Sequence, residues 1–193
     1  MSGRAPGSAE PVRILQFVGD TDSSVSNLAA LDLHHRLAAV GREVRTLALA
    51  PGRTGGLERV VPAVAPARRS LAAAGQVRLE SRWSDVVVLH GVRSFTFATL
   101  PGRLPGAVPV IAALWEPIVS TRSRWSAVTR VLESARIVLV ADQAAASSVR
   151  ALTRVELQVQ VVPAIGDPPH PDGAVWNSAV DAVLGATGTG VSA

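Results

Sequence analysis

Short apolar runs alternate along the chain with longer stretches in which apolar residues recur every three or four positions. The short runs are rich in β-branched residues and predict parallel strands, because strands buried on both faces are continuously apolar. Seven strands are predicted, at residues 12–18, 43–50, 59–65, 85–91, 108–114, 136–141 and 157–162.

The longer stretches predict helices, at residues 24–40, 66–83, 93–100, 121–135 and 142–152. In the first of these, Leu33 and Leu37 lie one helical turn apart, and Gly41 follows as the C′ glycine that ends the helix. Asp142 is placed to cap the last one. The alternation of strand and helix predicts an α/β fold, a Rossmann-like parallel sheet with helices on both faces.

The length of 193 residues, 48% of them hydrophobic, suits one domain with its own core. We expect a disordered N-terminus at 1–11, the Rossmann-like domain at 12–167, a connector with a C-terminal helix at 168–184, and a disordered tail at 185–193. Apolar runs stay below the ~18 residues of a membrane span, and the start lacks the apolar centre of a signal peptide. These features predict a cytoplasmic protein with at most peripheral membrane contact.

The composition of the chain limits the partners and cofactors that we expect. All 19 strongly basic residues are arginine, and lysine, tyrosine and cysteine are absent. Because few groups titrate between about pH 8 and 12, a formal charge of +4 suffices to raise the isoelectric point to about 11.3. The arginines are scattered without interleaved aromatic residues, so we expect no nucleic-acid partner. No dinucleotide, P-loop or nucleophile-elbow motif and no metal-ligand cluster is found, so we expect no cofactor and no metal.

Four segments, taken in order, match motifs of a known enzyme family. Residues 37–44 (LAAVGREV) are similar to its LAxxGHEV step, and residues 85–91 (DVVVLHG) to its DVVHLHG strand. Residues 135–145 (ARIVLVADQAA) are similar to its ADRVVAVSEAAA segment, and residues 161–167 (VVPAIGD) to its VIPNGVD turn. Over residues 13–167 the chain thus resembles the N-terminal domain of family 4-type glycosyltransferases of the GT-B architecture.

The resemblance implies the acceptor-side half of a glycosyltransferase, often working at a membrane surface. In that family a C-terminal domain binds the nucleotide-sugar donor, and we expect this chain to lack it. The implied partners are a second chain that carries the donor-binding domain and a sugar or lipid-linked acceptor. Transfer of the sugar is then expected only when that second chain is present.

Two positions depart from the family pattern. Where the family usually has a Gly-Gly loop after the first strand, this chain has Gly19 followed by Asp20, Thr21 and Asp22, and two carboxylates repel a phosphate. Trp115 stands where the family often has a histidine that lies over the transferred sugar. The alternative function is therefore a non-catalytic binding or regulatory module derived from a glycosyltransferase. A trimmed fragment of a longer protein is a third interpretation.

The loops at the carboxyl ends of the strands supply the candidate site. Glu116 is a candidate general base or an ordinary loop residue, and Asp22 is a candidate base or part of an acidic helix cap. His90 either hydrogen-bonds an acceptor hydroxyl or caps its strand, and Trp115 either stacks on a sugar or packs against a helix. The ligand-binding candidates are Gly19, Asp20, Thr21, His90, Gly91 and Trp115.

Overall fold

Strands and helices alternate throughout the computed structural model, which describes residues 11–65, 71–98, 108–116, 122–162 and 173–186. The strands are β1 (Arg13–Val18), β2 (Glu43–Ala48), β3 (Val86–His90), β4 (Val110–Leu114), β5 (Ile137–Val140) and β6 (Val159–Val161). The helices are α1 (Val25–Ala39), α2 (Leu71–Trp83), α3 (Gly91–Ala98), α4 (Arg122–Ser134), α5 (Gln143–Leu152) and α6 (Gly173–Ala186).

All six strands are parallel and form one sheet in the order β2-β1-β3-β4-β5-β6. β1 pairs with two neighbours, so that Phe17 lies opposite Leu47 on one side and opposite Leu89 on the other. The chain runs outward from β1 to β2 and then crosses back to β3. The carboxyl ends of β1 and β3 therefore mark the place where the strand order reverses.

Within the described ranges the sheet has six strands, and the prediction of a seventh at residues 59–65 is wrong. In that segment Ala63 makes an isolated parallel bridge to Ala48. The N–H of Val61 is used in a turn, and Pro62 has no N–H to give to a neighbouring strand. The segment lies beside β2, where an outer strand would lie, but its backbone cannot form a continuous ladder.

An apolar layer covers each face of the sheet. On one face α2, α3, α4 and α5 pack over a layer of buried side chains that includes Phe17 and Leu89. On the other face the layer is completed, within the described ranges, by α1 and α6. α1 contributes Leu33 to this layer, and α6 contributes Val180 and Val183, next to β5 and β6. The predicted Rossmann-like sheet with helices on both faces is confirmed.

Capping residues mark the starts of α1 and α5, and a glycine follows the end of α1. Ser24 caps α1 by accepting a hydrogen bond from the N–H of Asn27 at 3.2 Å, and Gly41 follows the helix with a φ of +80°. Asp142 caps α5 as expected, with its Oδ1 atom 2.7 Å from the N–H of Ala145.

The predicted C-terminal part is only partly covered by the description. α6 extends to Ala186, two residues into the tail expected at 185–193, which is within the usual spread of helix ends. The remainder of that tail, the connector up to residue 172 and residues 1–10 lie outside the described ranges. Among the helices described, none combines the length and the apolar character that crossing a bilayer would take.

Candidate functional site

A cleft of about 630 Å³ opens where the strand order reverses. We call it the first cleft. Its walls come from the loop after β1 (residues 19–24), the first turns of α1 and α3, Thr54 in the loop after β2, and Glu116 after β4. This is the position at which ligands bind in open parallel sheets, and the volume suits a small molecule. Of the predicted site residues, it is lined by Gly19, Asp20, Asp22, His90, Gly91 and Glu116.

Asp20 is buried, and both of its carboxylate oxygens are bonded. Oδ2 forms an ion pair with the guanidinium of Arg93, and Oδ1 accepts from the side-chain amide of Asn27 at 3.3 Å. The same Asn27 amide donates to the carbonyls of Asp20 at 2.8 Å and Asp22 at 2.7 Å. These contacts fasten the loop after β1 to α1 and α3. The charge of Asp20 is neutralised by Arg93, whose side chain is 59% exposed.

Asp22 holds the loop after β2 against the loop after β1. Its Oδ1 atom accepts from the N–H and the hydroxyl of Thr54, at 2.8 and 2.9 Å, and from the N–H of Gly55 at 3.1 Å. These bonds, with the N–H of Thr54 foremost, lower the pKa of Asp22 to about 2. A carboxylate of such low basicity is a poor general base at neutral pH.

Thr21 takes part in the same contact between the loops after β1 and β2, and it does not line the first cleft. It is buried, accepts from the N–H of Gly52 at 2.7 Å, and donates its hydroxyl proton to Glu58 at 3.1 Å. The pKa of Glu58 is lowered, mainly by backbone N–H groups including that of Gly56. Thr21 is therefore placed to fix the loop.

His90 is buried at the end of β3, and both of its ring nitrogens are bonded. The indole N–H of Trp115 can only donate, so Nδ1 of His90 accepts from it at 2.9 Å. Nε2 then carries the proton and donates to the side-chain carbonyl of Gln16 at 2.7 Å. Burial lowers the pKa of His90 to about 3, so the ring is neutral. No ring nitrogen is left for an acceptor hydroxyl.

The hydrogen bonds that begin at Trp115 and His90 continue from Gln16 through Thr46 to His34 of α1. The Gln16 amide donates to the hydroxyl oxygen of Thr46 and to the carbonyl of Ala30, both at 3.2 Å. The Thr46 hydroxyl is then left to donate to Nδ1 of His34 at 3.0 Å. Burial, and after it the proximity of His35, lowers the pKa of His34. A polar network with one donor direction thus crosses the apolar layer under α1.

Glu116 lies at the N-terminus of α1. Its Oε1 atom accepts from the N–H of Ser26 at 3.3 Å, and the residue is exposed. In the described part of the chain, Oε2 has no hydrogen-bond partner. Glu116 is therefore a cleft carboxylate with an oxygen that a ligand can reach.

A second cleft of about 370 Å³ adjoins the first and shares Leu114 and Glu116 with it. It lies between α4, α5 and the end of β4, and its walls are largely apolar, with Trp115 and Trp125 among them. Trp115, predicted either to stack on a sugar or to pack against a helix, is buried and lies in the wall of the second cleft rather than the first. The two clefts together form a polar site beside an apolar one.

Two glycines allow the loops to approach closely. Gly91 has a φ of +74°, and a Cβ there would lie 3.1 Å from the hydroxyl oxygen of Ser26. At Gly19 a Cβ would lie 2.7 Å from the Cβ of Arg93. Both glycines are thus required by the packing between the loop after β1, α1 and α3.

We expect Gly91→Ala to lower the free energy of unfolding by about 1–2 kcal/mol, because a side chain disfavours the left-handed conformation. Gly75→Ala is the matched control, since its Cβ position in α2 has no atom within 4 Å. It should raise the free energy of unfolding by about 0.5–1 kcal/mol. Urea unfolding followed by tryptophan fluorescence measures both, and a shift of the same sign in the two variants would contradict the assignment.

Asn27, Arg93 and Thr54 are cleft residues that the sequence analysis does not single out. Arg93 follows the end of β3 by three residues, so the strand-end rule that points to His90 and Gly91 also covers it. Asn27 is three positions after the Ser24 cap, in the first turn of α1. Nothing in the sequence indicates that Thr54, thirty-two residues away, contacts Asp22. Within the described ranges no three metal-ligating side chains are grouped.

No protein-family model and no curated protein matches the sequence. Among solved structures the chain is similar to MurG of Acinetobacter baumannii, a GT-B glycosyltransferase, with a TM-score of 0.54 and 15% identity. The chain has a GT-B-like half-domain fold. The match covers 85% of this chain and 47% of the MurG chain, so the chain spans about half the length of MurG.

Proposed function

We propose that this protein is the acceptor-binding half of a family 4-like glycosyltransferase, and that it transfers sugar together with a donor-binding domain on a second chain. The observation that carries the proposal is the polar first cleft at the strand-order reversal of a GT-B-like half-domain. The match to about half of MurG supports the assignment to one half of such an enzyme. The proposed location is cytoplasmic, without a nucleic-acid partner.

The two clefts suggest the acceptor's shape. Serine, threonine and carboxylate groups in the first cleft suit the hydroxyls of a sugar. The adjoining apolar cleft, with Trp115 and Trp125, suits an aliphatic or lipid part attached to that sugar. A lipid-linked acceptor would therefore place its junction between sugar and lipid near Glu116, which lies in both clefts.

Glu116 is the proposed general base. Its Oε2 atom takes the proton of the acceptor hydroxyl while the hydroxyl oxygen attacks the anomeric carbon of the donor sugar, and the nucleoside diphosphate leaves. Asp22 is unsuited to this role because its pKa is about 2. His90 is unsuited because Trp115 and Gln16 occupy its ring nitrogens.

The charge that forms on the leaving nucleotide needs stabilising groups. Among the described residues, Arg93 is the cation that lines the first cleft, and it already pairs with Asp20. The proposal therefore assigns the contacts to the leaving nucleotide to the second chain.

Two measurements test the proposal. Purified alone, the chain should release no nucleotide from nucleotide sugars above background, and native mass spectrometry of the protein taken from its host should show a second chain of domain size or larger. The complex should transfer sugar, and Glu116→Ala should lower kcat by about 10²–10⁴-fold, the contribution usual for a general base. Glu43→Ala, the same change at the opposite end of the sheet, is the control.

If the chain alone released nucleotide, and if Glu116→Ala abolished that release, the proposal that the chain is half of an enzyme would be overturned. The second candidate function, a non-catalytic binding module, is favoured by one observation: the bonded states of Asp22 and His90. It predicts saccharide binding without transfer in any complex that the chain forms.

A further inference from the structure

We propose that the first cleft selects an uncharged, hydroxyl-bearing head group and excludes phosphate, because the protein's own carboxylates occupy its anion-binding positions. The inference rests on the proposed function and specifies its substrate class. Three features of the cleft would ordinarily attract an anion: a helix N-terminus, a pair of adjacent backbone N–H groups, and an arginine. Each of them is already bonded to a carboxylate of the chain.

The helix N-terminus belongs to α1. The N–H of Asn27 is taken by the hydroxyl of Ser24, and the N–H of Ser26 is taken by Glu116 at 3.3 Å. The positive end of the helix dipole, where a phosphate would bind in many Rossmann-like proteins, therefore faces the Glu116 carboxylate.

The adjacent N–H groups belong to Thr54 and Gly55. Both point at Oδ1 of Asp22, at 2.8 and 3.1 Å, and the Thr54 hydroxyl donates to the same atom. Three donors on one oxygen form a small anion hole that is filled from within the chain. The lowered pKa of Asp22 follows from these bonds, and it keeps the carboxylate charged at neutral pH.

The arginine is Arg93. Its guanidinium pairs with Asp20, whose side chain is 8% exposed and is also held by Asn27. A phosphate bound to the exposed side of Arg93 would therefore approach a guanidinium whose charge is already balanced.

The described side chains that line the first cleft carry a net negative charge. Among the described residues, three carboxylates and one guanidinium line the first cleft. A phosphate would meet like charge at contact distance, in a recess where water screens charge less than in bulk. A neutral polyol meets no such repulsion, and Oε2 of Glu116, which has no hydrogen-bond partner in the described part of the chain, can accept its hydroxyl protons.

Inorganic phosphate is the probe that tests this directly. With ¹⁵N-labelled protein, sodium phosphate is titrated at constant ionic strength, and the amide shifts of Ser26 and Gly55 are followed. We expect no saturable shift in the wild type. Glu116→Ala vacates the Ser26 N–H and removes a charge, so phosphate should bind there at least about tenfold more tightly, the effect of ~1.4 kcal/mol of relieved repulsion.

Two further variants separate the effect of the Glu116 charge from the effects of its hydrogen bond and of charge elsewhere. Glu116→Gln removes the charge but keeps an acceptor for Ser26, so it should bind phosphate less well than Glu116→Ala. Glu43→Ala removes an equal charge at the far end of β2 and should behave as the wild type. Saturable phosphate shifts at Ser26 or Gly55 in the wild type, or none in Glu116→Ala, would overturn the inference.

Sugar binding separates this inference from the proposed function. A panel of methyl glycosides and the matching sugar phosphates is compared by saturation-transfer NMR on the full chain. A sugar phosphate that binds more tightly than its neutral partner would overturn the exclusion of phosphate and leave the glycosyltransferase assignment standing. Silence of every saccharide would contradict both the proposed function and the selection of a hydroxyl-bearing head group, whereas the phosphate titration would still decide the exclusion of phosphate.

Discussion

Removal of α6 is expected to bring the protein close to unfolding. The helix buries Ala179, Val180, Ala182 and Val183 against α1 and the ends of β5 and β6. Of the described helices, only α1 and α6 cover that face of the sheet, and Leu57 and Val61 of the loop after β2 cover its part near β2. Burying the two valines alone contributes about 3–6 kcal/mol, which is comparable with the 5–15 kcal/mol that stabilises a typical domain.

Thermal unfolding of a chain that ends at residue 172 tests this, with circular dichroism as the readout. We expect its Tm to fall by about 10 °C or more, since 1 kcal/mol shifts the Tm of a domain of this size by a few degrees. Val183→Ala should cost about 2 kcal/mol. Asp181→Ala, on the exposed side of the same helix, is the control and should change little. A truncated chain with the wild-type Tm would show that α6 does not belong to the core.

His90 is expected to make the protein sensitive to mild acid. A histidine in the unfolded chain takes up a proton near pH 6.5, whereas burial lowers the pKa of His90 in the folded protein to about 3. Between these values the unfolded state binds a proton that the folded state refuses, so acid favours unfolding. Stability is complete above pH 6.5 and should fall by about 1.4 kcal/mol per pH unit below it.

The urea midpoint measured between pH 8 and pH 4.5 tests this prediction. His34, whose pKa is also lowered, adds to the slope in the same direction. Asp22 and Glu58, whose pKa values are lowered from 3.8 and 4.5, contribute mainly at and below the acid end of this window. His90→Gln should flatten the slope and cost about 1–3 kcal/mol at pH 8, because the indole N–H of Trp115 loses its acceptor. An exposed control, His35→Gln, should keep most of the slope, because it removes only the smaller cause of the lowered pKa of His34. An unchanged slope in His90→Gln would disprove the role of His90.

Much of the fold could be predicted from local patterns. β-Branched runs identified the six strands of the described sheet, and the capping residue Asp142 marked a helix start that the structure confirms. The seventh strand was wrong for a local reason as well. Residues 59–65 have the apolar content of a strand, but Pro62 and the turn that uses the N–H of Val61 break its hydrogen bonding. Apolar content alone does not report whether the backbone can pair.

The site was harder to predict because its contacts join residues far apart in the sequence. The strand-end rule located the cleft and most residues that line it. It could not show that both ring nitrogens of His90 would be hydrogen-bonded, to Gln16 and Trp115, which are 74 and 25 residues away. It also could not show that Asp20 would pair with Arg93. Residue type and position indicate which groups are available, and tertiary packing decides which of them stay free.

The single bridge beside β2 has a consequence for behaviour at high concentration. Among the described residues, the outer edge of β2 is hydrogen-bonded at Ala48 alone, through Pro62 and Val64. The rest of that edge carries the exposed charges of Glu43 and Arg45. Charged side chains on an unpaired edge discourage another molecule from adding a strand. The edge that the missing strand would have covered is thus protected against edge-to-edge aggregation by charge rather than by pairing.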